Sequence, residues 1–494
     1  AARDELVLDV PLPDPDPVYV ELAAIVADFP AGERTADQTA LALACAAIDY
    51  HRREGKSFWW DHFARLLAPV EDWADTRNVF VVESAAIVRR WGIEGRARTQ
   101  SRELRLTGTA APGSSFGASD TPWVVYDPPF PPIDPGRDPG ARVAHSRTGI
   151  VVADDGSLLL TERLRAGAPT YDQFPLALTP SSPPNPGTQV TAISEWGRAV
   201  LDAYPQLLPN AALDILRRIP PRGLRDGATT ADGTIAERMW DALLCLDHSY
   251  LAVQGPPGTG KTWNGARVIA DLVQNHGWRV GVVAQSHATV ENMLTAVIAA
   301  GLDPSLVGKK PRPGTESEPT VWTALTDRSL GDFTAKPGFV VGGTAWLFSN
   351  EARIPRESLD LLVIDEAGQY SLAATIAASV AATRLLLLGD PQQLPQVSQG
   401  THPEPVDVSA LGWLSDGHDV LPPEFGFFLD LSHRMHPAVC APVSKLSYEG
   451  RLHSLPSDRS LEGVPPGLHP VPVLAHNNST SSAEEADAVL AIVR

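Results

Sequence analysis

Short apolar runs alternate with helical patterns through the second half of the chain. The runs of strand type lie at residues 250–253, 279–284, 339–341, 361–364 and 384–388. After the first of them, Ala266, Ile269, Ala270 and Val273 recur at spacings of three and four, and Gly277 ends this pattern. Alternating strands and helices are typical of a doubly wound sheet of parallel strands. We therefore predict an α/β lobe in this part of the chain.

Residues 76–193 have a different pattern, in which no long helical periodicity is present. Short β-type runs occur at 79–82, 104–107, 123–126, 150–152 and 158–161, and segments rich in proline and glycine separate them. Asp155-Gly156 between two apolar runs is a good signal for a β-hairpin. We predict a small all-β module here, either a sandwich or a barrel, with long loops around 109–140 and 165–188.

The remaining segments divide the chain into four predicted parts. Residues 1–18 are rich in Pro and Asp and are typical of a linker, and several prolines between 401 and 424 suggest a lobe boundary. The parts are a linker and helical region at 1–75, the all-β module at 76–193, helices and a first α/β lobe at 194–404, and the start of a second lobe at 405–494. A helical stripe from Ser482 runs to the last residue, which predicts a fragment of a longer polypeptide.

Charge and cysteine content narrow the classes of protein that fit this pattern. The 494 residues carry a formal net charge of −19, whereas a protein that binds nucleic acid usually has a basic face. Binding of a nucleic acid would therefore need a local basic groove. Cys45, Cys245 and Cys440 are far apart, which argues against a disulfide framework or a zinc site and fits a reducing cytoplasm. No apolar run is long enough for a membrane span.

The segment between the first predicted strand and its helix matches the phosphate-binding pattern G-x-x-x-x-G-K-[ST]. It consists of Gly255, Pro256, Pro257, Gly258, Thr259, Gly260, Lys261 and Thr262. The glycines let the backbone curl until its N–H groups face one concavity, where phosphates bind in front of the helix N-terminus. Lys261 would hold the β- and γ-phosphates of a nucleotide, and the Thr262 hydroxyl would ligate Mg²⁺. An ordinary glycine-rich turn is the alternative, which the strand–loop–helix context disfavours.

Two carboxylates follow the apolar run 361–364. Asp365 and Glu366 would lie at the carboxyl edge of a parallel sheet, where ligands bind. Asp365 is expected to hold Mg²⁺, directly or through water, and Glu366 to orient or deprotonate the attacking water. An Asp-Glu pair after an apolar run often marks only the end of a strand and has no catalytic role. Its place about 100 residues after a phosphate loop favours the catalytic interpretation.

Two further candidates follow the apolar strands at 384–388 and 427–431. Gln393, within Gly389–Pro395, would sense the last phosphate of a nucleotide or position water. Arg434 would reach the nucleotide from a second lobe as an arginine finger. A polar turn is the plain alternative for Gln393, and a solvated surface arginine is the plain alternative for Arg434.

A basic and aromatic segment lies ahead of the all-β module. His51-Arg-Arg-Glu54 is followed by Phe58-Trp59-Trp60. Such residues can stack on and clamp a nucleic acid strand, but tryptophans more often pack between helices. We favour packing and keep both interpretations.

Together these motifs resemble those of superfamily 1 helicases, in the branch that holds the nonsense-decay and senataxin-type helicases. Gly255–Thr262 is similar to motif I of that branch, Asp365-Glu-Ala-Gly-Gln369 to motif II, and Gly389–Pro395 to motif III. Arg434-Met-His-Pro437 is similar to the motif IV region, in which Ser432 and His433 stand where Gln-Tyr is common. The similar region covers roughly residues 230–494. A closer likeness to bacterial proteins with a RecB-like nuclease ahead of such a helicase would put a nuclease before Ala1.

The resemblance implies an α/β fold with a RecA-like P-loop NTPase lobe and a truncated second RecA-like lobe, preceded by a small barrel-like all-β module on helical stalks. It implies ATP and Mg²⁺ as cofactors, and movement along single-stranded nucleic acid, usually 5′ to 3′, with DNA favoured over RNA. His433 would lie at the bound ATP, and Ser286 and Thr344 would contact the strand backbone. Because motifs V and VI are missing, we expect the fragment to bind ATP but to hydrolyse it poorly.

We therefore expect the core of an ATP-dependent DNA helicase or translocase in the cytoplasm, without a membrane segment. A nucleotide-gated module that binds nucleic acid or a protein partner without unwinding is the alternative, and the net charge of −19 favours it. A P-loop switch protein is a third hypothesis, which the similarity to motifs III and IV disfavours.

Overall fold

The computed structural model describes residues 14–95, 97–117, 120–133, 142–225, 227, 232–312, 315, 318–458, 462–474, 478 and 482–493. They form two compact units. The first unit takes its residues from segments 1–20, 48–187 and 397–403, and the second from segments 21–47, 188–396 and 404–494. Most of the predicted linker at 1–18, parts of the predicted loop at 109–140, and the final residue Arg494 lie outside the described residues.

The helices within these described ranges have the following bounds. They are α1 (Pro17–Val26), α2 (Ala36–Ile48), α3 (Tyr50–Leu67), α4 (Thr188–Ala203), α5 (Ala211–Arg217), α6 (Ile235–Cys245), α7 (Lys261–His276), α8 (His287–Ala299), α9 (Ser329–Thr334), α10 (Ala345–Phe348), α11 (Leu372–Ser379), α12 (Ala410–Ser415), α13 (Pro437–Ser447) and α14 (Ala483–Val493). None of these helices combines the length and the apolar character that crossing a membrane requires.

The first unit is built around one sheet of seven antiparallel strands. The strands are β1 (Phe80–Gly92), β2 (Ser101–Ala110), β3 (Trp123–Tyr126), β4 (Val143–His145), β5 (Thr148–Val152), β6 (Leu158–Arg163) and β7 (Ala177–Thr179). Their order in the sheet is β4-β3-β7-β1-β2-β6-β5. Only residues 146 and 147 separate β4 from β5 in the chain, so the two edges of the sheet must come close together. This connection therefore brings the ends of the two edge strands β4 and β5 next to each other.

Alternate residues of these strands face an apolar interior. In β6, Leu158, Leu160 and Glu162 are buried, and the residues between them are more exposed, as the two-residue period of a strand requires. Leu104 and Leu106 of β2 pack in the same core. Glu162 is the exception in this apolar set, and its partners are described below.

The second unit contains a sheet of eight parallel strands. They are β8 (Tyr250–Gln254), β9 (Arg279–Val283), β10 (Val307–Lys309), β11 (Thr323–Ala324), β12 (Phe339–Gly343), β13 (Leu361–Asp365), β14 (Leu385–Gly389) and β15 (Gly426–Phe428). Their order is β11-β10-β12-β9-β13-β14-β8-β15. All residues of β8, β12, β13 and β14 are buried, as expected for a parallel sheet with helices on both faces. The predicted α/β lobe is present in this unit.

Helix α7 illustrates how the apolar pattern builds this lobe. Its recurring residues Ala266, Ile269, Ala270 and Val273 are all buried against the sheet. Gly277 ends the helix with a φ of 64°, and its N–H group bonds to carbonyls of the last turn. The helix thus begins and ends where the sequence predicts.

The strand predicted at Phe427–Leu431 is present as β15, and it belongs to the sheet that carries the phosphate loop. β15 pairs with β8 in parallel, with Phe427 opposite Val253. Phe427 is buried in the same core as Val253, and its burial in that core removes a large apolar ring from water. Residues 404–494 accordingly fall in the same unit as the eight-stranded sheet. Beyond β15, β16 (Leu431–Ser432) and β17 (His453–Ser454) form a separate parallel pair.

Candidate functional site

The predicted phosphate loop connects the buried strand β8 to helix α7. Gly255, Pro256, Pro257, Gly258, Thr259 and Gly260 form the loop, and Lys261 and Thr262 are the first two residues of the helix. Gly258 has a φ of 81°, in the left-handed region that residues with a side chain rarely adopt. The loop therefore has the strand–turn–helix geometry that a phosphate cradle needs.

Hydrogen bonds hold this loop in its curled form. The Lys261 ammonium donates to the Gly255 carbonyl, with 2.5 Å between Nζ and O. The Thr259 hydroxyl donates to the Pro256 carbonyl at 2.7 Å. The Gly255 N–H donates to the Gly389 carbonyl at 2.8 Å, which ties the loop to the end of the neighbouring strand β14. The Lys261 side chain thus folds back over the loop, at the place where a phosphate is expected to bind.

The two predicted carboxylates follow directly on β13. Asp365 is 4% exposed, and the main-chain N–H of Glu366 donates to its Oδ1 at 3.0 Å. Burial and the nearby charge of Glu366 raise the pKa of Asp365 to about 7, and the charge of Lys261 opposes this shift. A further positive charge placed beside this carboxyl group would lower its pKa.

Glu366 itself has an unusual backbone conformation. Its φ is 57°, in the left-handed region, although it carries a long side chain. The turn is held by the Ala367 N–H, which donates to the Leu388 carbonyl at 2.8 Å. Such non-glycine conformations concentrate at functional sites, where the surrounding structure imposes them. Nothing in the amino-acid pattern predicted this feature.

Asp390 and Gln393 lie just beyond the end of β14, next to the two carboxylates. Gly368 packs so closely on the Asp390 backbone that a Cβ atom on it would lie 2.1 Å from the Asp390 carbonyl oxygen. The Gln393 N–H donates to that same carbonyl at 3.2 Å, so its main chain is fixed beside the site. The structure thus brings the main chain of Gln393 to the predicted edge of the sheet.

The Asp390 side chain has partners that the sequence analysis missed. Asp390 is fully buried, and its Oδ2 accepts a hydrogen bond of 2.7 Å from the Tyr448 hydroxyl. Its Oδ1 accepts weakly from Gln254 Nε2 at 3.5 Å, and Gln254 also accepts from the Leu421 N–H at 2.6 Å. Asp390 therefore connects the strand end to later segments of the chain. The polar Gln254 at the end of an otherwise apolar strand was the available signal.

The segment around Arg434 lies against the phosphate loop. A Cβ atom on Gly258 would lie 2.2 Å from the Arg434 Cβ, so only glycine fits there. The His433 N–H donates to the Gly258 carbonyl at 2.8 Å, and the Ser432 hydroxyl bonds to the Pro257 carbonyl at 3.3 Å. The structure thus brings Arg434 and His433 to the loop, and their side chains are exposed there.

The two predicted strand-contacting residues lie further along the same sheet edge. Ser286 caps helix α8, and its hydroxyl accepts from the Thr289 N–H at 3.1 Å. Thr344 follows β12 and precedes helix α10. Four strand spacings separate β12 from β8 in the sheet, which corresponds to about 19 Å. Ser286 and Thr344 are therefore on the phosphate-loop side of the sheet but apart from the loop.

The residues at this edge fit a nucleotide with Mg²⁺. The curled loop provides N–H groups for phosphates, and Asp365 provides a carboxylate, a ligand type that Mg²⁺ prefers. Within the described ranges, no group of three or more His, Cys, Asp or Glu side chains could hold a metal ion by itself. Mg²⁺ commonly uses one or two protein ligands together with substrate phosphates, and Asp365 and Thr262 would be those ligands here.

Comparisons with known proteins agree with this geometry. A protein-family profile described as an AAA domain matches residues 237–406. The DNA replication ATP-dependent helicase/nuclease JHS1 of Arabidopsis thaliana is 27% identical over 206 residues, which cover 41% of this chain and 15% of that protein. DNA2 of Saccharomyces cerevisiae, also a DNA replication ATP-dependent helicase/nuclease, is 26% identical over 170 residues, which cover 34% of this chain and 11% of that protein. The chain thus spans only a small part of the length of these relatives.

Solved structures include remote neighbours of this chain. The arterivirus nonstructural protein 10 helicase in complex with DNA aligns with a TM-score of 0.32 and 15% identity, over 64% of this chain and 53% of that one. The UvsW helicase from bacteriophage T4 aligns with a TM-score of 0.26 and 10% identity, over 40% of this chain and 60% of that one. The second unit therefore contains a phosphate-loop motif followed by paired carboxylates, and its sequence is similar to part of these DNA replication helicase/nucleases.

Proposed function

We propose that this chain is the ATP-hydrolysing core of a superfamily 1 helicase that moves along single-stranded nucleic acid. The observation that carries the proposal is the convergence of three neighbouring strand ends. β13 ends in Asp365, β14 leads to Gln393, and β8 leads into the phosphate loop, against which Arg434 packs. A site of this composition suits phosphoryl transfer from ATP to water.

The proposed roles follow from the chemistry of each group. Lys261 and the loop N–H groups would bind the β- and γ-phosphates, and Glu366 would accept a proton from the attacking water. Mg²⁺, held by Thr262 and Asp365, would neutralise charge on the phosphate oxygens. Gln393 and Arg434 would orient the water and stabilise the charge that develops on the transferred group.

The nucleic acid partner is the second part of the proposal. The relatives are named as DNA replication helicases, so we propose single-stranded DNA as the partner, with movement in the 5′ to 3′ direction. Ser286 and Thr344, on the same sheet edge, would contact the strand backbone through hydroxyl and N–H groups, which read no sequence. A nuclease ahead of Ala1 and a cytoplasmic location complete the proposal.

We also propose a revised boundary for a second RecA-like lobe. β15 belongs to the sheet that carries the phosphate loop, so such a lobe would begin after residue 428 rather than at 405. The all-β module, inserted ahead of the phosphate loop on helices α3 and α4, would be the barrel typical of these helicases. Under this proposal the segment that carries Arg434 follows directly on the first lobe and is bonded to its phosphate loop through the His433 N–H.

The decisive test is the exchange of Glu366 for glutamine. In the full-length protein, Glu366→Gln keeps the size of the side chain but removes its basicity, so ATP turnover should fall by about 100-fold to 10,000-fold. Binding of a fluorescent ATP analogue should persist, because the phosphate loop is intact. Glu351→Gln, at an exposed carboxylate of the same unit, is the matched control and should turn over ATP like the unmodified chain.

The same assay separates the helicase from the alternative function. ATPase activity should rise when single-stranded DNA is added, and RNA and duplex DNA are the comparison substrates. The net charge of −19 favours the alternative, a nucleotide-gated module that acts on a partner without moving along a strand. Stimulation by a protein partner alone, with no response to any single strand, would reject the helicase proposal.

A further inference from the structure

The seven-stranded sheet of the first unit contains a small cavity with an arginine-rich rim. Its volume is about 180 Å³, and its lining includes Trp123, His145, Arg147, Arg163, Arg165 and Tyr171. No acidic residue is among the described residues that line it. The volume is below the range of about 300–1,000 Å³ typical of drug-sized ligands, so the cavity suits a group the size of one base or one phosphate.

The three arginines on this rim differ from four other arginines of the first unit. Arg89, Arg102, Arg105 and Arg142 each form an ion pair, with Glu94, Glu162, Asp155 and Asp127 respectively. Arg147, Arg163 and Arg165 are exposed, and no carboxylate of the described ranges lies within ion-pair distance of them. In a protein with a net charge of −19, three such arginines around one cavity form a local site for anions.

A buried polar network holds the wall of the cavity in place. Glu162 is fully buried, and its Oε1 accepts from the Tyr171 hydroxyl at 3.1 Å and bonds to His145 Nε2 at 2.9 Å. Arg102 donates to Glu162 Oε2 at 2.7 Å. Burial favours a raised pKa for Glu162, but the His145 hydrogen bond and the Arg102 charge outweigh it and lower the pKa. Two lining residues, His145 and Tyr171, are therefore fixed by one ionised carboxylate.

This network also orients the arginine rim. The Arg147 N–H donates to His145 Nδ1 at 3.3 Å, so the turn that carries Arg147 is attached to Glu162 through the histidine ring. Arg163 follows Glu162 directly on β6, and its N–H donates to the Arg147 carbonyl at 2.9 Å. Burying a carboxylate is costly unless its partners are well placed, and this carboxylate takes no part in the phosphate-loop site. Its hydrogen bonds fix His145 and Tyr171, which line this cavity.

We propose that this cavity binds one phosphate group of a single-stranded nucleic acid. The phosphate would contact Arg147, Arg163 and Arg165. Arginines bind phosphate through two parallel hydrogen bonds. The inference rests on the proposed function, because it supplies an additional contact for the strand on which that function acts.

The test uses the full chain and a fluorescein-labelled oligothymidylate, with binding measured by fluorescence anisotropy at several salt concentrations. Arg163→Ala should weaken binding at low salt by roughly fivefold or more, because an exposed charge-assisted contact is lost. The slope of log K against log salt should become shallower by about 0.7, the value for one phosphate contact on a single strand. Arg163→Lys should restore the slope, because it restores the charge.

Arg105→Ala is the matched control, since Arg105 lies on the same sheet but is paired with Asp155. It should leave both the affinity and the salt slope unchanged. All variants should keep the thermal midpoint of the unmodified chain and its ATPase activity without a strand. An unchanged salt slope in folded Arg163→Ala would overturn the inference.

Two further outcomes are informative. One distinguishes a nucleic acid strand from a free nucleotide as the ligand, and the other distinguishes failure of this inference from failure of the proposed function. Thymidine monophosphate should compete only weakly with the oligonucleotide. If it binds at Arg163 as tightly as the strand does, the cavity is a free-nucleotide site and the inference is wrong. If the strand binds through Arg163 but never stimulates ATPase activity, the proposed helicase function fails and this inference stands.

Discussion

At the scale of single residues, the phosphate-loop site depends on side chains that are remote in the sequence. Tyr448 lies 58 residues beyond Asp390, yet its hydroxyl donates to the buried Asp390 carboxylate. Burial, with the hydrogen bond and charge of Asp390, raises the pKa of Tyr448 well above its usual range. The tyrosine therefore stays protonated and remains a hydrogen-bond donor. Asp390 is consequently held in place rather than available to a ligand.

Replacement of Tyr448 by phenylalanine tests this dependence. Tyr448→Phe leaves Asp390 Oδ2 without its buried donor, which should lower the free energy of unfolding by about 1–3 kcal/mol. Urea-induced unfolding followed by circular dichroism measures the effect. Tyr204→Phe, at a tyrosine that is 39% exposed, is the control and should change stability by less than about 0.5 kcal/mol. Equal stability of the two variants would contradict a structural role for this contact.

At the scale of elements, helix α3 packs against the all-β sheet through an aromatic cluster. Trp59 packs edge-on against Trp123 of β3 at 5.8 Å, and His62 lies 4.3 Å from Trp123, both between ring centroids. Trp60, in contrast, is 46% exposed. The packing interpretation of the tryptophan pair therefore applies to Trp59, while Trp60 remains at the surface.

Two buried histidines of helix α3, His62 and His51, should make the stability of the first unit depend on pH. Burial, aided by the charge of Arg65, lowers the pKa of His62 to about 4, and burial also lowers that of His51 to about 4. Both are below the usual 6.5, so the unfolded chain takes up protons first as the pH falls. Stability should therefore decline from about pH 6.5 to pH 4, by about 2 kcal/mol per histidine between pH 7 and pH 5.

His62→Phe keeps an aromatic ring and removes one titrating group. Its loss of stability between pH 7 and pH 5 should be smaller than that of the unmodified chain by about 2 kcal/mol. Denaturant unfolding at the two pH values gives the comparison. The exposed His418, changed to glutamine, should leave the pH dependence as it is. A pH dependence that survives His62→Phe in full would show that His62 is not buried in its neutral form.

At the scale of the whole molecule, strand β15 attaches the last part of the chain to the sheet of the phosphate loop. Phe427→Ala should destabilise this unit by about 3–5 kcal/mol, because it removes a large buried side chain. Amide hydrogen exchange should then accelerate in β8 as well as in β15. Leu431→Ala, at a residue that is 37% exposed, is the control. If only residues beyond 404 lost protection, they would form an independent lobe after all.

Long apolar strands and the phosphate loop were predictable from the sequence, and short elements were not. β8, β13 and β14 each begin with four apolar residues in succession, and the motif Gly255–Thr262 shows that a helix follows β8. β4, β7 and β10 contain three residues each, which is too few to show a period. The membership of β15 was missed because pairing partners depend on tertiary packing. The Glu366 conformation and the Tyr448–Asp390 contact were missed for the same reason.

The place of β15 beside β8 has a consequence for how a nucleotide would be sensed. The segment that carries Arg434 leaves this strand and is bonded to the phosphate loop through the Gly258 carbonyl. If Arg434 binds the nucleotide as proposed, it does so from a segment that is attached to the same loop. A movement that separates this segment from the loop must first break the hydrogen bond between the His433 N–H and the Gly258 carbonyl.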